Sequence, residues 1–484
     1  MTKVHQMYIG GKWVDALSGK AYDDLNPYTG EVYTRLASGG KQDAKRAIDA
    51  AAAAFPTWAG VPPSEKRALF LKAADVMERR AEEITLALAE EAGATVNWGR
   101  FQTGLGPGFL REAASQVHRV SGQIIPADLP GAFNMVLRQP VGVVGAISPW
   151  NAPVVLSLRA VVFPLAYGNT VVLKPSAESA FVGGVLMAEI FEEAGFPRGV
   201  FNLVTNGPGR SGEVGDQFIE DSRVRRITFT GSTEVGKQLA EKAGRHLKKM
   251  TMELGGNDPL IILEDADMEI AVDAAVFGRF MHQGQICMNS KRIIVEEPII
   301  AEFLKRFVAR AAALKVGDPK DPETVIGPLI NKTQLDKLIG QVNGAIADGA
   351  KLLCGGKYDG LCYHPTVLSG VTKEMRLFQE ETFGPLAPVI AAKDADDALH
   401  LANNSKYGLS SGIITRDFQK GLEMAERIES GVCHINDSSL HDEAHAPLGG
   451  MKESGWGRNG FESMEEFTEL RWVSLQKTKR HYPI

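Results

Sequence analysis

The sequence has no apolar run long enough to cross a bilayer as a helix, which takes roughly 18 consecutive apolar residues. Cysteine is scarce, with 4 in 484 residues, and none stands in CxxC spacing. That argues against a zinc site, against a disulfide framework in so long a chain, and for a reducing compartment. Neither sign of charge dominates: the net charge of -6 gives no pull toward nucleic acid or a membrane surface. The stretch Met1 to Lys12 holds no apolar run behind a basic segment, so no signal peptide is expected and the cytoplasm is the default location. What is present in quantity is glycine, 51 residues, which suits many tight strand-to-helix turns. A chain of this length exceeds one ordinary core, so two or three domains are expected.

From Asp43 to Ala92 apolar residues recur at spacings of three and four, as in Ala68, Leu71, Ala74 and Met77, the period of amphipathic helices. From Val141 the texture changes. Short apolar runs at Val141 to Ile147, Thr170 to Leu173, Val200 to Val204, Arg226 to Phe229, Met250 to Leu254 and Leu260 to Leu263 read as buried strands. Helical patterns lie between several of them, one from Phe181 to Ala194 closed by Gly195 and one from Gly236 to Gly244. That alternation predicts an α/β fold with a doubly wound, Rossmann-like parallel sheet. The pattern restarts after Gly256 with a helix near Met268 to Met281, a strand at Arg292 to Val295 and a helix at Ile299 to Leu314, predicting a second α/β domain. Glu469 to Leu475 reads as a peripheral terminal strand.

Cys287 carries the most chemical information. It stands in Gly284-Gln285-Ile286-Cys287, a polar, glycine-containing turn that favours exposure of the sulfur over burial in a core. Glu253 closes a strand before Leu254-Gly255-Gly256, and Asn151 follows the strand end Ser148-Pro149-Trp150. A thiol, a carboxylate and a side-chain amide can act as nucleophile, base and oxyanion donor. Each alone has a plain structural reading: an inert buried cysteine, a strand terminus, a turn residue before Pro153. No GxGxxG is present in the parallel region. Instead Thr230-Gly231-Ser232-Thr233-Glu234-Val235-Gly236 opens a helix whose free N–H groups suit a pyrophosphate, or simply start a helix. Lys174-Pro175-Ser176 ends a strand whose carboxyl end should face the nucleotide crevice. Glu381-Thr382-Phe383-Gly384-Pro385 offers a carboxylate for ribose hydroxyls and a ring for nicotinamide, or an acidic turn. His282 lies five residues before Cys287, an offset that turns the two side chains to different helix faces, so a satisfied or solvent-facing histidine is expected. His434, His441, Asp442, Glu443 and His445 match no metal-ligand spacing and read as a polar loop rimming the pocket; no metal is expected.

In this order, from Tyr8-Ile9-Gly10-Gly11-Lys12-Trp13 to Pro447-Leu448-Gly449-Gly450-Met451-Lys452-Glu453-Ser454-Gly455, the motifs resemble those of the NAD(P)-dependent aldehyde dehydrogenase superfamily over nearly the whole chain. The resemblance implies Cys287 as nucleophile, Glu253 as general base and Asn151 as oxyanion donor. It implies Lys174 and Glu381 on the two riboses, Gly231, Ser232 and Gly236 near the pyrophosphate, and Ile147, Trp150, Ser176, Gly207, Leu254 and Phe383 along the cofactor. It further implies a nucleotide-binding domain from 1–120 and 140–255, a catalytic domain from 256–452, and oligomerisation or bridging segments at 121–139 and 453–484 that include a small β oligomerisation arm, about Ser121 to Gln139 plus the tail after Glu469, in a homodimer or homotetramer. Many NAD-preferring members carry a glutamate three residues after the lysine; here that residue is Ala177 and Glu178 follows, which admits NADP beside NAD. Trp150-Asn151-Ala152-Pro153, Arg159, the loop His441-Asp442-Glu443-Ala444 and the ending Arg480-His481-Tyr482-Pro483-Ile484 are most similar to aromatic aldehyde dehydrogenases of the vanillin, benzaldehyde and salicylaldehyde type. Ala152, Arg159, Ile286 and Met288 would form the substrate pocket, with Ala152 leaving room for a flat ring. The expected reaction is oxidation of an aldehyde to the acid through a cysteine thioester. Aliphatic or semialdehyde substrates, resolution of the thioester by CoA and an inactive nucleotide-binding structural protein are the alternatives.

Overall fold

The short runs Val143–Ile147 and Thr170–Lys174 are buried at every residue, as strands covered on both faces must be. In the computed structural model, which describes residues 3–484, they form the middle of an eight-stranded sheet. Its parallel part runs Lys249–Glu253, Val224–Thr230, Val143–Ile147, Thr170–Lys174, Phe201–Leu203. The order departs in both directions from Val143–Ile147, so the switch point of the winding lies between that strand and Val224–Thr230. Ligands in such sheets bind beyond the carboxyl ends at the switch point. Asn151 and Gly231 follow those two strand ends directly. Two apolar cores flank the sheet, one including Ala44, Ile48, Val214 and Phe218, the other Phe70, Leu110, Phe163 and Phe191.

A second, seven-stranded sheet runs Lys351–Cys354, Thr366–Ser369, Leu386–Ala392, Ser290–Glu296, Asp258–Ile262, Gly412–Ile414, His434–Ile435. The strand at Asp258–Ile262, which the sequence places at the end of the first run, belongs here: it pairs in parallel with Ser290–Glu296 and Gly412–Ile414. Gln123–Ile125, Ala132–Pro140 and Thr468–Gln476 make an antiparallel three-stranded sheet, with Thr468 opposite Pro140 and Gln476 opposite Ala132. Gly455–Trp456, at the start of the 453–484 segment, pairs antiparallel with the strand that ends in Glu253 and forms the edge of the first sheet.

The helix expected from Phe181 begins as a π-turn over Phe181–Val185 and becomes an α-helix at Leu186–Ala194. The buried Glu91 carboxylate accepts from the N–H groups of Phe181 and Val182 at 2.6 and 2.7 Å, anchoring that first turn to a neighbouring helix. Gly195 ends the helix with a left-handed φ of 89°, as its position predicts.

Candidate active site

Cys287 is presented by a turn that the surroundings over-determine. His282, Gln283 and Gly284 have consecutive φ of 50°, 53° and 72°, a conformation costing about 1–3 kcal/mol at each non-glycine position. Gln283 Nε2 donates to the carbonyls of Gly93 and Pro328, both at 3.0 Å. Gln285 Oε1 accepts from Ile330 N at 3.0 Å. Asn289 Oδ1 accepts from Ile286 N at 2.8 Å, and its Nδ2 donates to Gly278 O at 2.7 Å. Only glycine fits at 284, where a Cβ would lie 2.2 Å from Gly384 O. His282 is buried rather than solvent-facing: its ring stacks on Trp98 at 5.3 Å, the Asn151 backbone lies beside it, and burial pushes it down to about 3.

Two cavities meet at the sulfur. The first, with about 640 Å³ of empty space, is lined by Pro149, Trp150, Asn151, Thr230, Gly231, Ser232, Leu254, Gly255, Cys287, Gln334, Lys337, Glu381 and Phe383. The second, with about 520 Å³, is lined by Trp98, Phe101, Asn151, Ala152, Val155, Leu156, Arg159, Thr230, Glu253, Ile286, Cys287, Met288, Leu440, Asp442 and Leu448. Asn151, Thr230 and Cys287 belong to both. A thiol between a polar cleft and an apolar pocket is within reach of molecules held in either.

In the first cleft Ser232 caps the helix Thr233–Arg245, its hydroxyl accepting from Val235 N at 3.3 Å. Glu381 Oε1 accepts from Gly256 N at 3.1 Å. A Cβ at Gly255 would come within 2.5 Å of Glu381 Oε2, so the second glycine-rich turn is what lets this carboxylate sit there. Trp150 and Phe383 meet edge to face at 5.5 Å. A helix N-terminus, a carboxylate and two aromatic rings suit the phosphates, ribose hydroxyls and flat base of a dinucleotide. Of the residues expected along a cofactor, Trp150, Gly231, Ser232, Leu254, Glu381 and Phe383 line this cleft; Ile147, Lys174, Ser176, Gly207 and Gly236 do not. Lys174, expected to point into the crevice, is buried and donates to Pro175 O at 2.9 Å, and burial pushes its ammonium down to about 8. Ser176 donates to Glu178 Oε2 at 2.6 Å. Gly236 gives the helix room to pack, since a Cβ there would meet Leu254 at 2.5 Å.

All four expected pocket residues, Ala152, Arg159, Ile286 and Met288, line the second cavity. Arg159 is ion-paired with Asp442, both side chains nearly buried, and its guanidinium lies 5.1 Å from the Phe109 ring. Arg159 Nε and Asp442 Oδ1 have no partner. Glu253 is buried beside them. Burial pushes its carboxyl up to about 8, against the pull of Arg159 and Arg458, and Asn459 Nδ2 donates to its Oε1 at 2.9 Å. Burial likewise pushes the Cys287 thiol up to about 12, with Lys291 the cation that opposes it.

Trp98, Phe101, Leu440 and Leu448 of the pocket, Gln334 and Lys337 of the cleft, and Asn459 were not identified from the sequence. Trp98 and Phe101 are three apart on the helix Val96–Gln116 and stack at 5.0 Å, the spacing of any core-facing pair. The loop around His441 does meet the pocket, through Leu440 and Asp442, while His441 and His445 pair with Glu443 at 3.2 Å.

Comparison with known proteins agrees with this architecture. The profile described as the aldehyde dehydrogenase family matches residues 13–473. A vanillin dehydrogenase of Pseudomonas fluorescens is 46% identical over 479 residues, covering 99% of both chains. A benzaldehyde dehydrogenase of Bacillus subtilis is 43% identical over 482 residues, again covering 99% of both. The crystal structure of a salicylaldehyde dehydrogenase from Pseudomonas putida G7 complexed with salicylaldehyde superposes with a TM-score of 0.97 at 42% identity, over 99% of this chain and 100% of the other. With a doubly wound sheet, a second α/β layer and a cysteine at their junction, this chain belongs to the aldehyde dehydrogenase family.

Proposed function

We propose that the protein oxidises an aromatic aldehyde to the carboxylic acid with NAD(P)+, through a thioester on Cys287. The observation that carries this reading is that Cys287 and Asn151 line both the polar cleft and the apolar pocket. The bound dinucleotide supplies the hydride acceptor. Its pyrophosphate and nicotinamide ribose would lie against Gly231, Ser232 and Glu381, its ring near Trp150 and Phe383, and its adenosine end toward Lys174, Ser176 and Gly207. Glu178 lies within the electrostatic reach of Lys174, and it is the carboxylate that a 2′-phosphate would meet.

Glu253 takes the proton from the Cys287 thiol, and the sulfur attacks the aldehyde carbon. The Asn151 side-chain amide and the Cys287 N–H hold the oxyanion of the thiohemiacetal, a contribution of about 3 kcal/mol. Once the hydride has left and Glu253 has passed the thiol proton to solvent, its carboxylate takes a proton from the water that attacks the thioester, and the thiolate leaves. Aromatic selectivity rests on the stacked wall of Trp98 and Phe101 and on the small side chain of Ala152. The Arg159–Asp442 pair lines the same cavity and gives it a polar wall for a ring hydroxyl. The relatives described as vanillin, benzaldehyde and salicylaldehyde dehydrogenases support the same substrate class.

Replacing the sulfur tests the reading. Cys287→Ala should bind NAD(P)+ and show no oxidation of benzaldehyde or vanillin; turnover near wild type would refute the nucleophile. We further propose a homodimer or homotetramer joined through the three-stranded arm, which leaves Ile124, Leu470 and Trp472 exposed at 75%, 59% and 68%. A cytoplasmic location is consistent with four free cysteines.

A further inference from the structure

Lys291 and Arg292 are consecutive, wholly buried cations in the strand Ser290–Glu296, and successive strand residues face opposite ways. Arg292 is accounted for by structure alone. Its guanidinium donates to the carbonyls of Asn257, Leu401 and Ala402, each at 2.8 Å, and it stacks on Phe378 at 5.1 Å. Lys291 turns the other way, toward the Cys287 turn and Glu381. Its Nζ donates to the carbonyl oxygen of Cys287 itself and lies 3.6 Å from Glu381 Oε1 and 6.0 Å from the Phe383 ring centre. A lysine at 0% exposure is rare without a tight carboxylate partner. At 3.6 Å the Glu381 contact is looser than a charge-assisted hydrogen bond. The close partner of this ammonium is the nucleophile's own backbone.

Resting on the reading of Cys287 as nucleophile, we propose that Lys291 is a positioning residue: its fixed positive charge, pinned to the Cys287 carbonyl and steadied by Glu381, favours the thiolate at the junction of the two cavities. When the S–H bond breaks, its proton passes to the Glu253 carboxylate, and the new negative charge on sulfur faces the Lys291 ammonium. The other ionisable groups facing the sulfur are Glu253, Asp258 and Glu381, and all three oppose its ionisation. Asp258 accepts from Ser410 N at 3.0 Å and is itself pushed up to about 7 by burial, with Lys291 the strongest pull in the other direction. Among these groups Lys291 supplies the one positive charge, so its removal leaves a site that resists a second anion.

The test reads the sulfur directly. The full-length protein is treated with iodoacetamide across a pH series, and the adduct, a C–S bond formed as iodide leaves, is located at Cys287 by peptide mass spectrometry. Lys291→Met, Lys291→Gln and Lys291→Arg are compared with wild type. Gln keeps a donor for the Cys287 carbonyl and loses the charge; Arg keeps the charge. Met and Gln should slow modification at pH 8 by roughly ten-fold or more and delay its rise in alkaline buffer, while Arg stays near wild type. Coincident profiles for Gln and wild type, a shift of equal size in all three variants, or no shift in any would overturn the proposal. Should Met fail to fold, judged by circular dichroism and melting, Gln against Arg decides. An active Cys287→Ala enzyme would sink the nucleophile assignment and leave this comparison intact.

Discussion

Asn459 Nδ2 donates to Glu253 Oε1 at 2.9 Å, across 206 residues of chain. The donor is buried, and its own backbone N–H is tied to Leu448 O at 2.8 Å, so one residue links the proposed base to the wall of the substrate pocket. A side-chain amide that donates favours the ionised carboxylate, and Asn459 is among the groups that pull Glu253 down.

Asn459→Leu should therefore raise the carboxyl further. Hydrogen bonds to charged groups contribute about 1.5–3 kcal/mol, which corresponds to roughly one to two pH units. The rising limb of the kcat profile should move up by that amount, with the rate recovering in alkaline buffer. An unchanged limb would show that the amide does not set the base.

Glu253→Gln should give a single turnover of reduced dinucleotide, or slow alkylation of the thiol, with steady-state turnover lost. In the wild type, activity should climb as pH rises through about 8, where Glu253 becomes a carboxylate. Stability carries the opposite sign. Because the folded carboxyl titrates at about 8 and an unfolded one near its usual 4.5, native Glu253 lowers stability progressively between those values and by a constant amount above them. Glu253→Gln should thus melt higher than wild type, by a margin that widens from pH 5 to pH 8 and then stays flat. A constant margin would contradict the assignment.

The Arg159–Asp442 pair predicts a non-additive pair of variants. Removing one partner strands a buried charge, at about 3–5 kcal/mol, whereas Arg159→Met with Asp442→Leu should recover most of that loss. Melting curves of the two single variants and the double one check it. In kinetics, the double variant should lose kcat/KM for hydroxylated benzaldehydes more than for benzaldehyde itself, since only the former has a group to place against the pair.

Gly284→Ala should abolish turnover while the fold survives. The left-handed φ and the 2.2 Å approach to Gly384 O leave a methyl group no room, so the turn must shift and carry Cys287 with it. Retained activity would mean that the turn tolerates displacement.

Glu253 and Asn151 were legible because they stand out locally at the ends of apolar strands, and Cys287 because it stands in a glycine-containing turn; the fold brings all three to the walls of the same cavity. The doubly wound sheet was legible for the same reason. Lys291 and Asn459 were not: a lysine after Cys287 reads as a solvated strand residue, and Asn459 gains meaning only when Gly455–Trp456 pairs with the strand of Glu253. Arg159 and Asp442 lie 283 residues apart, so their partnership has no local signal. Lys174 stands at a strand's carboxyl end, but the sequence does not show that its ammonium folds back onto the neighbouring carbonyl of Pro175.

The segment that closes the edge of the first sheet also holds Asn459 and then continues into the arm at Thr468–Gln476. Trimming from the carboxyl end that reaches Asn459 removes the amide holding the Glu253 carboxylate, so turnover should fail while Gly231, Ser232, Glu381 and Phe383 still line the cleft.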